Sequence, residues 1–213
     1  MTEKRIVPSL IAASQEELDK LMDNVKDATD LFQLDIMDGV FVKNHSLDFD
    51  FRLPEANYEA HLMVSNPKNW IELKADKADT ILAHIEACND PAEIIEMVRQ
   101  KGRRVGFALN PETPVELIRP YLDRIDQVLV MTVNPGTYGA EFLPETLDKV
   151  RELRKLAPGI DIEVDGSINK DTIKLAADAG ANLFVSGSFI IKADDPKSAI
   201  AELKKEVERD GQE

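Results

Sequence analysis

Two aspartates stand in segments of the same shape. Gln33-Leu34-Asp35-Ile36-Met37-Asp38-Gly39 and Glu163-Val164-Asp165-Gly166-Ser167 each alternate polar and apolar residues, the pattern of a strand with one face on a core and the other on a site. On such strands Gln33, Asp35 and Met37 share a face, as do Glu163 and Asp165. His61-Leu62-Met63-Val64 repeats the pattern and sets His61 beside Met63. Two carboxylates and an imidazole can move protons or hold a divalent cation. Their donors suit zinc, manganese or iron, and the amide oxygen of Gln33 can complete a fourth position. The competing structural reading is that strand-end aspartates cap the following turn. These residues alone leave both readings open.

The glycines invite a second chemistry. Gly166-Ser167 and Gly187-Ser188 end two consecutive strand candidates, where backbone N–H groups unobstructed by a Cβ can approach an anion and a hydroxyl adds a donor. One such pair usually marks an ordinary turn, whereas two at successive strand ends are more specific. Met37, Met63 and Met131, half of the six methionines, also close strand candidates. Methionine is usually a core filler, but here three polarizable side chains would ring the mouth of a site. His84 and Glu86 close another strand. A hydrogen-bonded structural histidine is the simpler reading there, and support of a metal shell the sharper one. His45 lies in an irregular segment and reads as solvated.

The elements that must position these residues alternate along the chain. Strand patterns fall at 5–13, 31–37, 58–64, 80–85, 104–109, 127–133, 161–165 and 183–186, and helical patterns at 15–28, 67–75, 91–101, 114–119, 144–156, 170–179 and 196–209. Several helices open at or near a proline, a first-turn signature. Eight strands in this rhythm predict parallel pairing and closure into a (β/α)8 TIM barrel of the phosphate-binding type. Catalytic groups then come from the C-terminal strand ends, and the last two strand ends hold phosphate. A dinucleotide fold would want glycines after the first strand, and residues 8–14 contain none. Between the second and third strands, residues 40–57 show no clear helical period, so the second helix is expected to be one turn or missing.

Composition narrows the partners. A chain of 213 residues suffices for one large core, and a single domain over 1–213 is expected. No window approaches the roughly 18 apolar residues of a membrane span, and the lone Cys88 gives no internal disulfide, so a cytoplasmic location fits best. A net charge of −14 disfavours nucleic acid and anionic lipid. A bound phosphate would therefore rely on backbone N–H groups more than on cationic side chains.

With these residues in place, the sequence resembles the ribulose-phosphate 3-epimerase family from Pro8-Ser9 to Gly187-Ser188. The likeness is carried by LDIMDG at 34–39, HLMV at 61–64, LNPETPVE at 109–116, VMTVNPG at 130–136, EVDG at 163–166 and VSGS at 185–188. The resemblance implies an isomerase that epimerises a ketose phosphate by metal-assisted 1,1-proton transfer, converting D-ribulose 5-phosphate to D-xylulose 5-phosphate. It puts Asp35 and Asp165 on the catalytic, metal-binding positions and His61 on a metal ligand. Met37, Met63 and Met131 fall on lid methionines, Ser9 on a substrate contact, and Gly166, Gly187 and Ser188 on phosphate contacts. Ser167, and Gly136 and Gly139 in the loop after the sixth strand, join that substrate and phosphate set. A homo-oligomer is also implied.

The sequence departs from the family pattern in places. Gln33 stands where the family has a metal histidine, which favours weaker binding or a harder cation such as manganese or magnesium over zinc. Ala12 replaces a serine, and Thr137-Tyr138-Gly139-Ala140 replaces a glycine-rich phosphate loop. Two further readings stay open: an epimerase of a hexulose 6-phosphate such as allulose 6-phosphate, suggested by Tyr138 and Ser167, and a sugar-phosphate-binding barrel without turnover, suggested by Gln33 and Ala12.

Overall fold

A computed structural model describes residues 3–136 and 139–208. Eight parallel strands close into a barrel: β1 (Arg5–Leu10), β2 (Leu31–Asp38), β4 (Asn57–Met63), β5 (Thr80–His84), β6 (Arg104–Leu109), β7 (Gln127–Met131), β8 (Asp161–Asp165) and β9 (Leu183–Ser186). The two-residue β3 (His45–Ser46) adds to β2 from outside that ring. Closure is made by β1, which pairs with β9 on one side and, through Ser9 opposite Gln33, with β2 on the other.

Helices α1 (Gln15–Val25), α2 (Pro67–Lys74), α3 (Pro91–Gln100), α4 (Leu147–Leu156), α5 (Thr172–Ala179), α6 (Ser188–Ile191) and α7 (Pro196–Glu208) complete the chain. Their starts follow from capping chemistry. The Ser14 hydroxyl accepts the Glu17 N–H while the Glu17 carboxylate accepts that of Ala13, and Asn66 and Asp90 cap the proline-led α2 and α3. The helix expected at 114–119 is instead two 3₁₀ turns, Val115–Leu117 and Arg119–Tyr121. Pro120 supplies no N–H to an α-helical ladder there.

No helix separates β2 from β4. The chain turns at Gly39 (φ 73°) and returns as β3, antiparallel to β2. The fully buried Leu47 and Phe51 fill the slot a helix would cover. The ammonium groups of Lys74 and Lys77 donate to the carbonyls of Phe49 and Phe51, each at 2.9 Å, which ties this segment to the end of α2 and the turn that follows it.

Strand alternation divides the interior as expected. Leu34, Ile36 and Leu62 face the helices in the main core with Leu18 and Met22. The opposite face of each strand points into the barrel, and that space is partly polar. At its floor the Gln127 amide nitrogen donates to Glu59 and to Glu163, each at 2.8 Å, and burial pushes both carboxyls up from the ordinary carboxylate value. Gly106, the register neighbour of Gln127, has no room for a side chain: a Cβ there would collide with the Gln127 backbone carbonyl oxygen and lie 2.7 Å from Leu82. Among the described residues no helix is long and apolar enough to cross a membrane.

Candidate active site

The layer above that floor brings together four of the residues singled out in the sequence. Asp35 and His61 are register neighbours on β2 and β4, and Asp165 ends β8 opposite Met131. The Gln33 side-chain nitrogen donates to Asp35 Oδ1 and to Asp165 Oδ2, each at 2.8 Å. His61 Nδ1 lies 3.2 Å from Asp35 Oδ1 and 3.4 Å from Asp165 Oδ2. Gln33 and His61 are fully buried.

Burial raises the Asp35 carboxyl, and the Asp165 charge adds to the rise against opposing hydrogen bonds from His61 and Gln33. Burial alone would lower His61, but hydrogen bonds and charge from Asp165 and Asp35 outweigh it and lift the imidazole to about 9. The cluster thus favours any positive charge placed between the carboxylates.

A cavity of about 310 Å³ opens above Asp35 and Asp165. Met37 and Met63 line it from the neighbouring strands β2 and β4, and Met131 lines it from β7 beside Asp165. Gly166, Ser167, Gly187 and Ser188 line it too, and Ser9, Gly136 and Gly139 complete the expected set. Gln33 and His61 lie beneath it and do not line it. Glycine is required at Gly166, and at Gly187 a side chain would have to displace the Ser9 hydroxyl. A Cβ on Gly166 (φ 128°) would sit 2.6 Å from Val133, and one on Gly187 would sit 2.6 Å from the Ser9 hydroxyl. Ser167 adopts a left-handed backbone (φ 53°), which costs a residue with a Cβ more than glycine, and its hydroxyl donates to the Ala140 carbonyl. Tyr138, which stands in the altered loop after the sixth strand, lies outside the described residues.

The sequence model of the ribulose-phosphate 3 epimerase family matches residues 5–191. The chain belongs to that family. A ribulose-phosphate 3-epimerase from Schizosaccharomyces pombe is 39% identical over 217 residues, covering 97% of this chain and 95% of the relative. A relative from Oryza sativa, named as the cytoplasmic isoform of that enzyme, is 40% identical over 215 residues, covering 96% and 94%. The solved structure of 3-keto-L-gulonate-6-phosphate decarboxylase from Vibrio cholerae shares the fold, with a TM-score of 0.72 at 14% identity over 98% of this chain and 99% of that one.

In this ribulose-phosphate 3-epimerase family member, Asp35, His61 and Asp165 offer three donor atoms within 4.8 Å of one another and could hold a metal ion. Gln33 is oriented with its nitrogen toward the carboxylates, and its buried Oε1 has no hydrogen-bond partner in the protein. Turning the amide by 180° exchanges the two atoms and points the oxygen at the carboxylate pair, which is favourable only with a cation between them. The donor set therefore fits a divalent cation, with three oxygens and one imidazole nitrogen when Gln33 joins it.

Several lining residues had no sequence motif to announce them. Asn44 and His45 reach the cavity because β3 folds back on β2, and the Asn44 amide donates to the Gly136 carbonyl at 2.7 Å. His45 is exposed, as expected, yet stands at the cavity rim. Asp38 stands outside the cavity lining and had no signal beyond its place in the 34–39 run. Its carboxylate accepts from the Val40 and Phe41 N–H groups and from the N–H and hydroxyl of Ser65. These bonds outweigh its burial, hold it at about 2 and lock the ends of β2 and β4 together.

Proposed function

We propose that this chain epimerises D-ribulose 5-phosphate and D-xylulose 5-phosphate by proton transfer at C3, between Asp35 and Asp165. The observation that carries this reading is the pair of carboxylates held at 2.8 Å by one shared donor, Gln33, at the base of the cavity. One carboxylate removes the proton next to the ketone and the other returns one to the opposite face, so configuration inverts without turning the substrate. Burial raises Asp35, which strengthens it as a base and lets it hold the proton it takes. Gly166, Ser167, Gly187 and Ser188 bind the phosphate, chiefly through backbone N–H groups. Met37, Met63 and Met131 cover the carbon skeleton and exclude water.

Asp35, His61, Asp165 and Gln33 would hold a divalent cation, whose charge supplies stabilisation of the negative oxygen that forms at the ketone. The mixed oxygen and nitrogen donors suit manganese, magnesium or iron as well as zinc.

Incubation with D-ribulose 5-phosphate in deuterated water, with a divalent cation supplied, should place deuterium at C3 and yield xylulose 5-phosphate. Asp35→Asn and Asp165→Asn should each lower kcat by about 10²–10⁴. Exchange only with a hexulose 6-phosphate would replace the substrate, and no exchange with either sugar would leave a binding protein and overturn the enzymatic reading.

A further inference from the structure

Behind His61 runs a line of polar side chains that the proposed chemistry does not use. His61 Nε2 lies 2.9 Å from His84 Nε2, and His84 Nδ1 lies 3.1 Å from Glu86 Oε2. The other Glu86 oxygen accepts the Asn110 N–H at 2.8 Å and the Thr113 hydroxyl. Lys149 in turn donates to the Asn110 carbonyl at 2.6 Å. This gives a structural role to part of the run at 109–116, which grips Glu86 from the end of β6. We infer that Glu86 and His84 are positioning residues that fix the tautomer of His61, so that its Nδ1 lone pair faces the point where Asp35 and Asp165 converge.

The argument is one of donors and acceptors. A carboxylate only accepts, so the His84 nitrogen facing Glu86 must carry the proton. A neutral imidazole has one N–H, which leaves His84 Nε2 an acceptor. Its partner is His61 Nε2, which must therefore donate. Once a cation displaces the proton that His61 Nδ1 otherwise shares with the carboxylates, what remains there is a lone pair turned toward them. His84 is fully buried and cannot rotate away, because its ring lies between those of His61 and Phe41, with centroids at 5.0 and 4.6 Å. A carboxylate behind the ring pair also raises the basicity of the ligating nitrogen. The purpose of the device rests on the cation-assisted reading proposed above, but its geometry does not.

The chain has three histidines, so protein carrying ¹⁵N in its imidazole rings gives a spectrum simple enough to assign. With Zn²⁺ added as the probe, wild type should show His84 protonated on Nδ1 and His61 on Nε2. In Glu86→Gln the amide oxygen takes over the Asn110 and Thr113 donors and its NH₂ group faces His84. Both tautomers should then reverse, setting a proton on His61 Nδ1, and Zn²⁺ affinity measured against a chromophoric chelator should fall about 10–100-fold. Thr113→Ser keeps the hydroxyl and should stay within about twofold of wild type. A wild-type His84 proton on Nε2, no zinc uptake, or a Glu86→Gln affinity within about twofold of wild type would overturn the inference. The wild-type spectrum needs no substitution, so it decides even if a variant folds poorly. Neither measurement contains substrate: absent deuterium exchange beside these tautomers would sink the proposed reaction and leave the device standing.

Discussion

The side-chain nitrogen of Gln33 lies 2.8 Å from Asp165 Oδ2, joining groups 132 positions apart in the chain and setting a neutral amide between two carboxylates. An imidazole at this position would supply a softer donor with a lone pair fixed in the ring plane. Gln33→His should raise Zn²⁺ affinity about tenfold or more relative to Mg²⁺ and Mn²⁺. Competition with a chromophoric chelator measures this, and unchanged zinc preference would contradict the assignment of Gln33 to the ligand set.

Metal uptake should depend on pH through His61. Its folded-state value of about 9 lies above the ordinary histidine value of 6.5, so across neutral pH a proton and a cation compete for Nδ1. The proton leaves as pH rises, and affinity should increase about tenfold per unit up to roughly pH 9 and then level off. Calorimetry in buffers of different ionisation enthalpy counts the released proton. Affinity that is flat between about pH 7 and 9 would mean that His61 is not the ligand.

The barrel floor should make the fold sensitive to alkali. Burial raises the Glu59 and Glu163 carboxyls above their ordinary value of 4.5. A raised folded value means stability that is full below about 4.5 and is lost as pH rises through the shifted value. Glu163→Gln removes one of the two buried carboxyls, so its melting temperature should fall less than that of wild type as pH rises above about 4.5. Parallel losses in both proteins would show that the pair titrates elsewhere.

Gly106→Ala tests the space beneath the site. The added methyl meets the Gln127 carbonyl and the Leu82 side chain, both fixed in the barrel wall. Overpacking of this kind costs about 1–3 kcal/mol. At about 2–4 °C per kcal/mol for a chain of this size, thermal melting resolves it. An unchanged melting temperature would mean that β6 and β7 can separate without cost.

Much of the site was legible before folding because a strand repeats every two residues. That period alone put Asp35, His61 and Asp165 on interior faces, and closure of the barrel made the faces converge. The segment at 47–56 was legible only as an absence of helix, since Leu47 and Phe51 take their places from contacts with distant elements. At 115–121 two 3₁₀ turns stand in place of the expected helix, although Pro120, which withholds its N–H from the ladder, is plain in the sequence.

By itself, the sequence determined which faces are polar, which strand ends carry carboxylates and small residues, and that Gln33 shares a strand face with Asp35. Tertiary structure decided how those groups meet. Only there does the Gln33 amide bridge the two aspartates, and only there does Glu86, gripped by Asn110 and Thr113, reach His61 through His84. The physical reason is range. Alternation is set by the geometry of a few neighbouring residues, whereas a hydrogen bond needs two atoms within about 3 Å, and for residues far apart in the chain that distance is set by closure of the barrel.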